Sequence, residues 1–206
     1  MAVIVIGGSG FIGSKVVEAL TKNDVSVLSY DIISSHALNE KIKRIQADIL
    51  ELPAIERLFI EYDVGVLIHL VGLPSVEYCE KNPHFSFQLN TLSVQNALEA
   101  MRRADIEKII FASSAAVYGY SSKDPLKESD QTVPNTVYGY HKLIAEEVIK
   151  SYSNSYGLKY TILRLFNVYG GDPQTGKDII SIFIRRALKG EPLVVKGSKN
   201  SEISCM

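Results

Sequence analysis

The sequence lacks several features on which whole classes of protein depend. Cysteine occurs only at Cys79 and Cys205, without C-x-x-C spacing, so neither a disulfide scaffold nor a metal site is expected. The small number of cysteines also predicts a protein of the reducing cytoplasm. The net charge of -1 leaves no basic excess for a phosphate backbone, so no nucleic-acid partner is expected. The first apolar run, Ala2–Ile6, is short and has no basic segment before it. It therefore predicts a buried strand rather than a signal peptide, and no membrane span is expected.

What is present is the composition of a globular protein. The chain has 206 residues, of which 46% are hydrophobic and 22% charged, enough for one domain with or without the start of another. Strands are predicted near Ala2–Ile6, Val25–Tyr30, Val64–His69, Lys108–Ala112 and Tyr160–Leu165. Helices are predicted near Gly10–Lys22, Pro53–Tyr62, Phe85–Arg103 and Val137–Tyr156. This alternation predicts an α/β fold, in which helices cover both faces of a parallel sheet.

Two stretches interrupt the alternation of strands and helices. Gly119–Pro134 is rich in Ser, Asp and Pro, and Gly170–Asp178 begins with Gly, Gly, Asp and Pro. Both follow the carboxyl end of a predicted strand, where open α/β sheets bind their ligands. These loops are therefore expected to carry functional residues.

The stretch VIVIGGSGFIGSK near the amino terminus has two interpretations, both involving bound phosphate. A P-loop requires a lysine directly after the last glycine, but Ser14 separates Gly13 from Lys15, which turns the amine about 100° around the helix. The same stretch spells G-x-G-x-x-G at Gly8, Gly10 and Gly13, the pattern of a dinucleotide-binding turn. The dinucleotide interpretation is favoured.

An acidic residue at the end of the second strand supports this interpretation. Asp31 closes the segment VSVLSYD, at the distance where a carboxylate accepts hydrogen bonds from the adenosine ribose. No arginine follows it in DIISSHALNEK to bind a ribose phosphate, so NAD is predicted rather than NADP. Asp48 follows another short apolar stretch and either binds the adenine amino group or is a plain loop carboxylate.

Tyr138 and Lys142 in YGYHK form the candidate reaction centre. They are four residues apart at the start of a predicted helix, so their side chains share one face. A lysine ammonium there is expected to lower the pKa of the phenol toward the working pH, where it serves as a general base. Taken alone, the pattern is more typical of surface packing. The preceding strand strengthens it, because it brings the hydroxyls of Ser113 and Ser114 to the same edge.

With these motifs in place, the sequence resembles the NAD-dependent epimerase/dehydratase family of extended short-chain dehydrogenases, particularly its UDP-glucose 4-epimerase-like members. The resemblance rests on GGSGFIG, HLVG, SSAAVYG, YGYHK and LRLFNVYG, in this order, and extends from Met1 to about Leu193. It implies a Rossmann-type doubly wound parallel sheet. It also implies a NAD-binding domain over residues 1–170 and, over residues 171–206, the start of a truncated substrate-binding lobe. Whether the chain is a fragment or a short member of the family stays open.

The resemblance also implies the roles of individual residues. NAD would be bound by Gly7, Gly10, Phe11, Ile12, Gly13, Asp31, Asp48, Ile49, Leu70, Val71, Gly72, Asn90, Tyr138 and Lys142. The catalytic residues would be Ser114, Tyr138 and Lys142, and the substrate would be bound by Ser114, Tyr138 and Asn167. No metal is expected, and the histidines, including His69 and His141, are expected to serve packing or to be exposed.

The implied activity is 4-epimerisation of a nucleotide sugar, most simply a UDP-sugar, through transient oxidation by bound NAD. Dehydratases of the family resemble one another in having a carboxylate just after the catalytic hydroxyl, where this chain has Ala115 and Ala116. A ketoreductase of the same family, or a NAD-binding module without turnover, stays open. The family implies a homodimer through the helices Phe85–Arg103 and Val137–Tyr156, which form a four-helix bundle. Apolar residues such as Leu89, Leu92 and Val148 should then be partly exposed in one subunit.

Overall fold

Strands and helices alternate along the part of the chain that the computed structural model describes, residues 1–33, 42–121, 125–170 and 178–193. The strands are β1 (Ala2–Ile6), β2 (Val27–Asp31), β3 (Lys43–Gln46), β4 (Val64–His69), β5 (Lys108–Ser114) and β6 (Lys159–Leu165). The helices are α1 (Phe11–Lys22), α2 (Leu52–Glu61), α3 (Val76–Lys81), α4 (Pro83–Phe87), α5 (Ser93–Arg103), α6 (Val137–Tyr156) and α7 (Ile179–Leu188). A π-helix, Gln88–Leu92, connects α4 to α5, and a 3₁₀ helix, Ala115–Tyr118, follows β5.

The strands form one six-stranded parallel sheet in the order β3-β2-β1-β4-β5-β6. The central strand β1 pairs with β2 on one side and with β4 on the other, so that Ile6 lies opposite both Tyr30 and His69. The strand order reverses between β1 and β4, and this is the point where doubly wound sheets open a ligand crevice. The predicted Rossmann-type fold is confirmed.

The core explains why the strands are almost continuously apolar. Ile4, Val5 and Ile6 of β1 are all fully buried. Successive side chains of a strand point to opposite faces, so Ile4 and Ile6 belong to one hydrophobic cluster and Val5 to another. A sheet packed on both faces requires this pattern, which also made β1 legible in the sequence.

The segment predicted as one helix near Phe85–Arg103 is helical throughout, but it is not a uniform α-helix. The chain forms α4, the π-helix and α5 in succession. The wider π-turn shifts the helical register, and both Asn90 and Thr91 are buried within it. Sequence analysis also missed β3, α3 and α7; β3 is four residues long and includes no buried position, so it lacks an apolar run.

The chain divides into two compact units, Met1–Arg164 and a second that begins at Leu165. In the second unit, Asp178 caps α7 by accepting the backbone N–H of Ser181 at 2.9 Å and its hydroxyl at 2.5 Å. The predicted NAD-binding domain and substrate lobe stay predictions, and residues 171–177 and 194–206, with Cys205, lie outside the described residues, as do residues 122–124 of the first predicted loop. No described helix has the length and apolarity to cross a bilayer.

Candidate active site

A glycine-rich turn connects β1 to α1 at the point where the strand order reverses. Gly7 has a φ of 84° and donates its N–H to the Tyr30 carbonyl at 2.8 Å, while Gly10 donates to the Gly7 carbonyl at 3.1 Å. A Cβ on Gly13 would overlap the carbonyl oxygen of Gly7, and a Cβ on Gly8 would overlap the Ser29 hydroxyl. The turn is therefore closed so tightly that its backbone forms the surface of the crevice.

The amino terminus of α1 is built to receive an anion. Its N-cap, Gly10, offers no side-chain hydrogen bond, and the first turn contains no acidic residue. The backbone N–H groups of Phe11 and Ile12 begin this helix, and such groups bind phosphate together with the positive end of the helix dipole. The turn fits the pyrophosphate of a dinucleotide.

Asp31 lies directly beside this turn. Its carboxylate accepts the backbone N–H of Ser9 at 2.9 Å and that of Ile33 at 3.2 Å. The Ser9 hydroxyl donates to the Ile33 carbonyl at 2.9 Å. Ser9 therefore connects the glycine-rich turn to the end of β2 through both its backbone N–H and its side chain. Sequence analysis placed Asp31 correctly at this strand end but missed Ser9, whose role rests on backbone geometry.

The segment after β4 forms the opposite wall of the crevice. Leu70 donates its N–H to the Ile6 carbonyl at 2.9 Å, and a Cβ on Gly7 would lie 3.1 Å from the backbone of both Leu70 and Val71. Gly72 is tightly enclosed, since a Cβ there would lie 2.9 Å from Asn90 Oδ1 and 3.1 Å from Lys142 Nζ. The predicted channel residues therefore lie between the glycine-rich turn and the candidate catalytic lysine.

Asn90 holds this segment from the π-helix. Its Oδ1 accepts the backbone N–H of Leu73 at 2.9 Å, and its Nδ2 donates to the Leu73 carbonyl at 3.3 Å. The Nδ2 group also donates to the Ser86 hydroxyl at 3.2 Å. The amide thus pairs with the chain just beyond β4, and its predicted contact with NAD stays a prediction.

Asp48 and Ile49 lie in the turn after β3. Asp48 Oδ1 accepts the backbone N–H of Leu50 at 2.9 Å, and Ile49 is buried. The Asn96 amide donates to the carbonyl of Ile49 at 3.0 Å. Asp48 therefore stabilises its own turn, as the loop-carboxylate alternative expected, and its binding to adenine stays a prediction.

Ser114, Tyr138 and Lys142 come together at the carboxyl end of β5. Tyr138 is 9% exposed, and the Ser114 hydroxyl is near enough to its phenol to influence the phenol pKa. Lys142, 3% exposed, donates to the Ala112 carbonyl at 2.9 Å and lies 4.7 Å from the centre of the Phe111 ring. The structure thus assembles all three predicted catalytic residues.

The expected direction of the Tyr138 pKa is wrong. Burial raises the pKa of this phenol above its ordinary value, and the Ser114 hydroxyl only partly offsets that rise. The Lys142 ammonium is directed at the Ala112 carbonyl, and burial lowers the pKa of this lysine to about 8. The phenol is therefore held neutral, with its cation one helical turn away.

Two residues that sequence analysis missed place the catalytic helix. Gly139 follows Tyr138, and a Cβ there would lie 2.6 Å from the Ala116 carbonyl, so only glycine lets α6 approach the 3₁₀ helix. Glu80 of α3 accepts the Val137 N–H, the first of α6, at 2.8 Å. A carboxylate at a helix amino terminus complements the helix dipole. No short sequence pattern connects either contact to the Tyr-Lys pair.

His69 and His141 pack against aromatic rings. His69 is fully buried against the Phe111 ring, and burial lowers its pKa to about 3, so it is neutral. His141 packs on Phe87 and lies 2.8 Å from the Ser86 hydroxyl. Among the described residues no cluster of side chains could hold a metal ion. Asn167 is exposed and belongs to the second unit, and its predicted role stays a prediction.

Comparison with known proteins agrees with this geometry. The model of the NAD dependent epimerase/dehydratase family matches residues 3–203. A Methanocaldococcus jannaschii protein described as a candidate UDP-glucose 4-epimerase is 38% identical over 204 residues, which cover 96% of this chain and 67% of that protein.

Two solved structures are similar over nearly the whole chain. The Thermotoga maritima UDP-glucose 4-epimerase with UDP-glucose gives a TM-score of 0.88 at 32% identity and covers 96% of this chain and 66% of that one. The Thermus thermophilus UDP-glucose 4-epimerase in complex with NAD gives 0.85 at 33% identity and covers 93% of this chain and 64% of that one. The chain thus spans about two thirds of the length of these proteins.

Proposed function

Because the chain belongs to the NAD-dependent epimerase/dehydratase family, we propose that it binds NAD and interconverts the C4 epimers of a nucleotide sugar. The observation that carries the proposal is the meeting of Ser114, Tyr138 and Lys142 at the sheet edge that also holds the glycine-rich turn. A protein that only bound a dinucleotide would have no need of a buried phenol between a hydroxyl and an ammonium.

The crevice fits NAD along its length. The turn from Gly7 to Gly13 and the start of α1 would hold the pyrophosphate, and Asp31 the adenosine ribose. Gly72 is enclosed by Asn90 and Lys142, and its backbone would form part of the wall beside the nicotinamide ribose. When bound, NAD supplies the acceptor and donor of the hydride.

The residues of this chain would handle the proton. As a phenolate, Tyr138 accepts the proton of the sugar C4 hydroxyl, and the neighbouring Ser114 hydroxyl orients that sugar hydroxyl. Because burial favours the neutral phenol, Tyr138 must release its own proton to solvent before this step. The Lys142 ammonium favours that phenolate, since a nearby positive charge stabilises the charged form of an acid. The proton returns from Tyr138 after the sugar has presented its other face.

Two observations favour an epimerase over its relatives. Ala115 and Ala116 begin the 3₁₀ helix next to the catalytic hydroxyl, where an eliminating enzyme would place a carboxylate. The solved relatives described above are UDP-glucose 4-epimerases, so a UDP-hexose is the proposed substrate.

A cytoplasmic location stays a prediction that rests on the two cysteines.

The activity is tested by incubating the purified chain with NAD and UDP-galactose and measuring UDP-glucose by chromatography. We expect conversion without net accumulation of reduced cofactor, because each cycle returns the hydride. A matched reaction with NADP should be slower, since the segment DIISSHALNEK, which begins at Asp31, contains no arginine to bind a ribose phosphate. Stoichiometric consumption of reduced cofactor would identify a ketoreductase instead. Bound NAD without conversion of UDP-galactose or UDP-N-acetylglucosamine would identify a binding module.

We further propose that two copies of the chain pair through the π-helix region and α6. Large apolar side chains are exposed there, including Phe85, Phe87, Leu92, Tyr140 and Ile144. The Thr91 hydroxyl donates to the His141 carbonyl at 2.9 Å, which holds the two segments side by side. Leu89 and Val148 are half-buried, as the sequence predicted for one subunit of a four-helix bundle.

Replacing Ile144 by glutamate should abolish this pairing. The side chain is 40% exposed, so the charge is tolerated in one subunit but would be desolvated against a second copy. Light scattering should give twice the monomer mass for the wild type and the monomer mass for Ile144→Glu. Ile60→Glu is the control, since Ile60 is exposed on α2. A monomeric wild type at all concentrations would rule out the pairing.

A further inference from the structure

Three buried side chains lie along one face of α6, and two of them belong to the proposed reaction centre. Tyr138, Lys142 and Glu146 are spaced four residues apart and are 9%, 3% and 0% exposed. Helical residues at this spacing lie one turn above one another. The proposed chemistry uses Tyr138 and Lys142 but assigns nothing to Glu146, although a fully buried carboxylate is costly unless it is paired.

Consecutive groups of β5 hold Lys142 and Glu146. Lys142 Nζ donates to the Ala112 carbonyl at 2.9 Å, and the Ser113 hydroxyl donates to Glu146 Oε1 at 2.5 Å. Both side chains are therefore fixed against the same strand, and neither is free to move away from the other. Ser113, which the sequence placed beside Tyr138, instead orients the buried carboxylate.

A half-buried arginine, Arg164, forms an ion pair with Glu146. Arg164 of β6 donates to Glu146 through Nη2 at 2.8 Å and through Nε at 3.1 Å and 3.3 Å, and its Nη1 donates to the Tyr118 hydroxyl at 2.9 Å. Its side chain is only partly exposed. The carboxylate of Glu146 is thus paired with the Arg164 guanidinium, and Lys142 lies one helical turn away on the same face of α6.

The charge of Lys142 depends on the groups around it. The titratable groups that face it are Tyr138 and Glu146 on α6, Cys79 on α3, His69 on β4 and, beyond Glu146, Arg164 on β6. Burial lowers the pKa of Lys142 to about 8, and the Glu146 carboxylate opposes that fall. His69 is neutral and compensates no charge. Among these described groups Glu146 is the one carboxylate.

We propose that Glu146 is a positioning residue that keeps Lys142 charged at neutral pH, with Arg164 limiting how strongly it does so. Glu146 does not touch the reacting atoms. It acts through Lys142, whose ammonium is the cation available to a phenolate at Tyr138. The catalytic meaning of this coupling rests on the proposed function, whereas the coupling itself does not.

Replacing Glu146 and replacing Arg164 should shift the pKa of Lys142 in opposite directions. Glu146→Gln removes the negative charge and should lower the pKa of Lys142 by about one unit or more, while Arg164→Gln leaves Glu146 unshared and should raise it. The measurement is a pH titration of the full chain labelled with ¹³C-lysine, followed by NMR. The Lys142 signal is identified by its loss in Lys142→Arg. A merely structural role would shift the midpoint in the same direction in both variants, or in neither.

Folding is checked by circular dichroism before each titration. Should Glu146→Gln not fold, the double variant Glu146→Gln/Arg164→Gln leaves no unpaired member of this ion pair buried. It should still titrate below the wild type, because it lacks the carboxylate that favours the charged form of Lys142. A wild-type midpoint in Glu146→Gln, or in the double variant, would overturn the proposal. The titration requires neither cofactor nor substrate, so an inactive protein would count against the proposed epimerisation alone.

Discussion

Replacing Tyr138 by phenylalanine should lower kcat for epimerisation by about 10²- to 10⁴-fold, the range that positioned general acid-base groups contribute. The change removes one oxygen atom, the group that would accept the sugar proton, and leaves the buried ring in place. NAD affinity should change little, because the glycine-rich turn and Asp31 lie on other elements. The rate of UDP-glucose formation and the Kd for NAD are measured on the same preparation.

Tyr156→Phe is the matched control for this variant. Tyr156 is at the far end of the same helix and is 60% exposed, so its loss of an oxygen should leave the rate unchanged. A Tyr138→Phe protein that retained the wild-type rate would contradict the proposed base. Loss of NAD binding together with the rate would show that the phenol serves the cofactor site rather than the proton transfer.

Replacing Gly13 by alanine should destabilise the fold and abolish NAD binding together. The new Cβ would overlap the Gly7 carbonyl oxygen, which belongs to backbone and has no freedom to turn aside. Overpacking of this kind costs about 1–3 kcal/mol of the free energy of unfolding. Relief of the overlap must open the turn, and this would misplace the N–H groups that bind pyrophosphate. Urea unfolding and NAD titration measure the two effects separately.

Gly10→Ala separates the two effects within the same turn. Gly10 has a φ of -72°, which any residue adopts, and a Cβ there would meet only the Gly7 carbonyl, at 3.3 Å. Its free energy of unfolding should stay near the wild-type value, while NAD affinity falls because the methyl group projects from the exposed N-cap. A Gly13→Ala protein as stable as Gly10→Ala would show that the turn is looser than its geometry implies.

The parts of the site that sequence predicted are those whose residues are close together along the chain. Tyr138 and Lys142 share one helix, and the glycines share one turn, so their spacing alone sets their geometry. Asp31 was found because the strand that carries it is apolar and ends at that residue. The bounds of β1, β4 and α6 agree with the predicted ones to the residue, and the two strands were recognisable because each is a short apolar run.

What sequence did not predict depends on contacts between distant segments. Glu80 accepts a hydrogen bond from Val137, 57 residues further along the chain, and Arg164 of β6 donates hydrogen bonds to Glu146 of α6. The direction of the Tyr138 pKa depends on how completely the folded chain covers the phenol, which no local pattern records. The π-helix depends on the burial of polar residues, so a hydrophobic period could not locate it.

The central position of β1 has a consequence for biosynthesis. This strand leaves the ribosome before the two strands with which it pairs, yet it is paired on both sides in the finished sheet. Its second neighbour, β4, begins only at Val64, so one edge of the fully buried segment Ile4–Ile6 has no partner strand until α1, β2, β3 and α2 have been made. Translation adds about 5–20 residues per second, so this edge stays open for several seconds. A nascent chain arrested before β4 should therefore be a better substrate for chaperones than one arrested just after it.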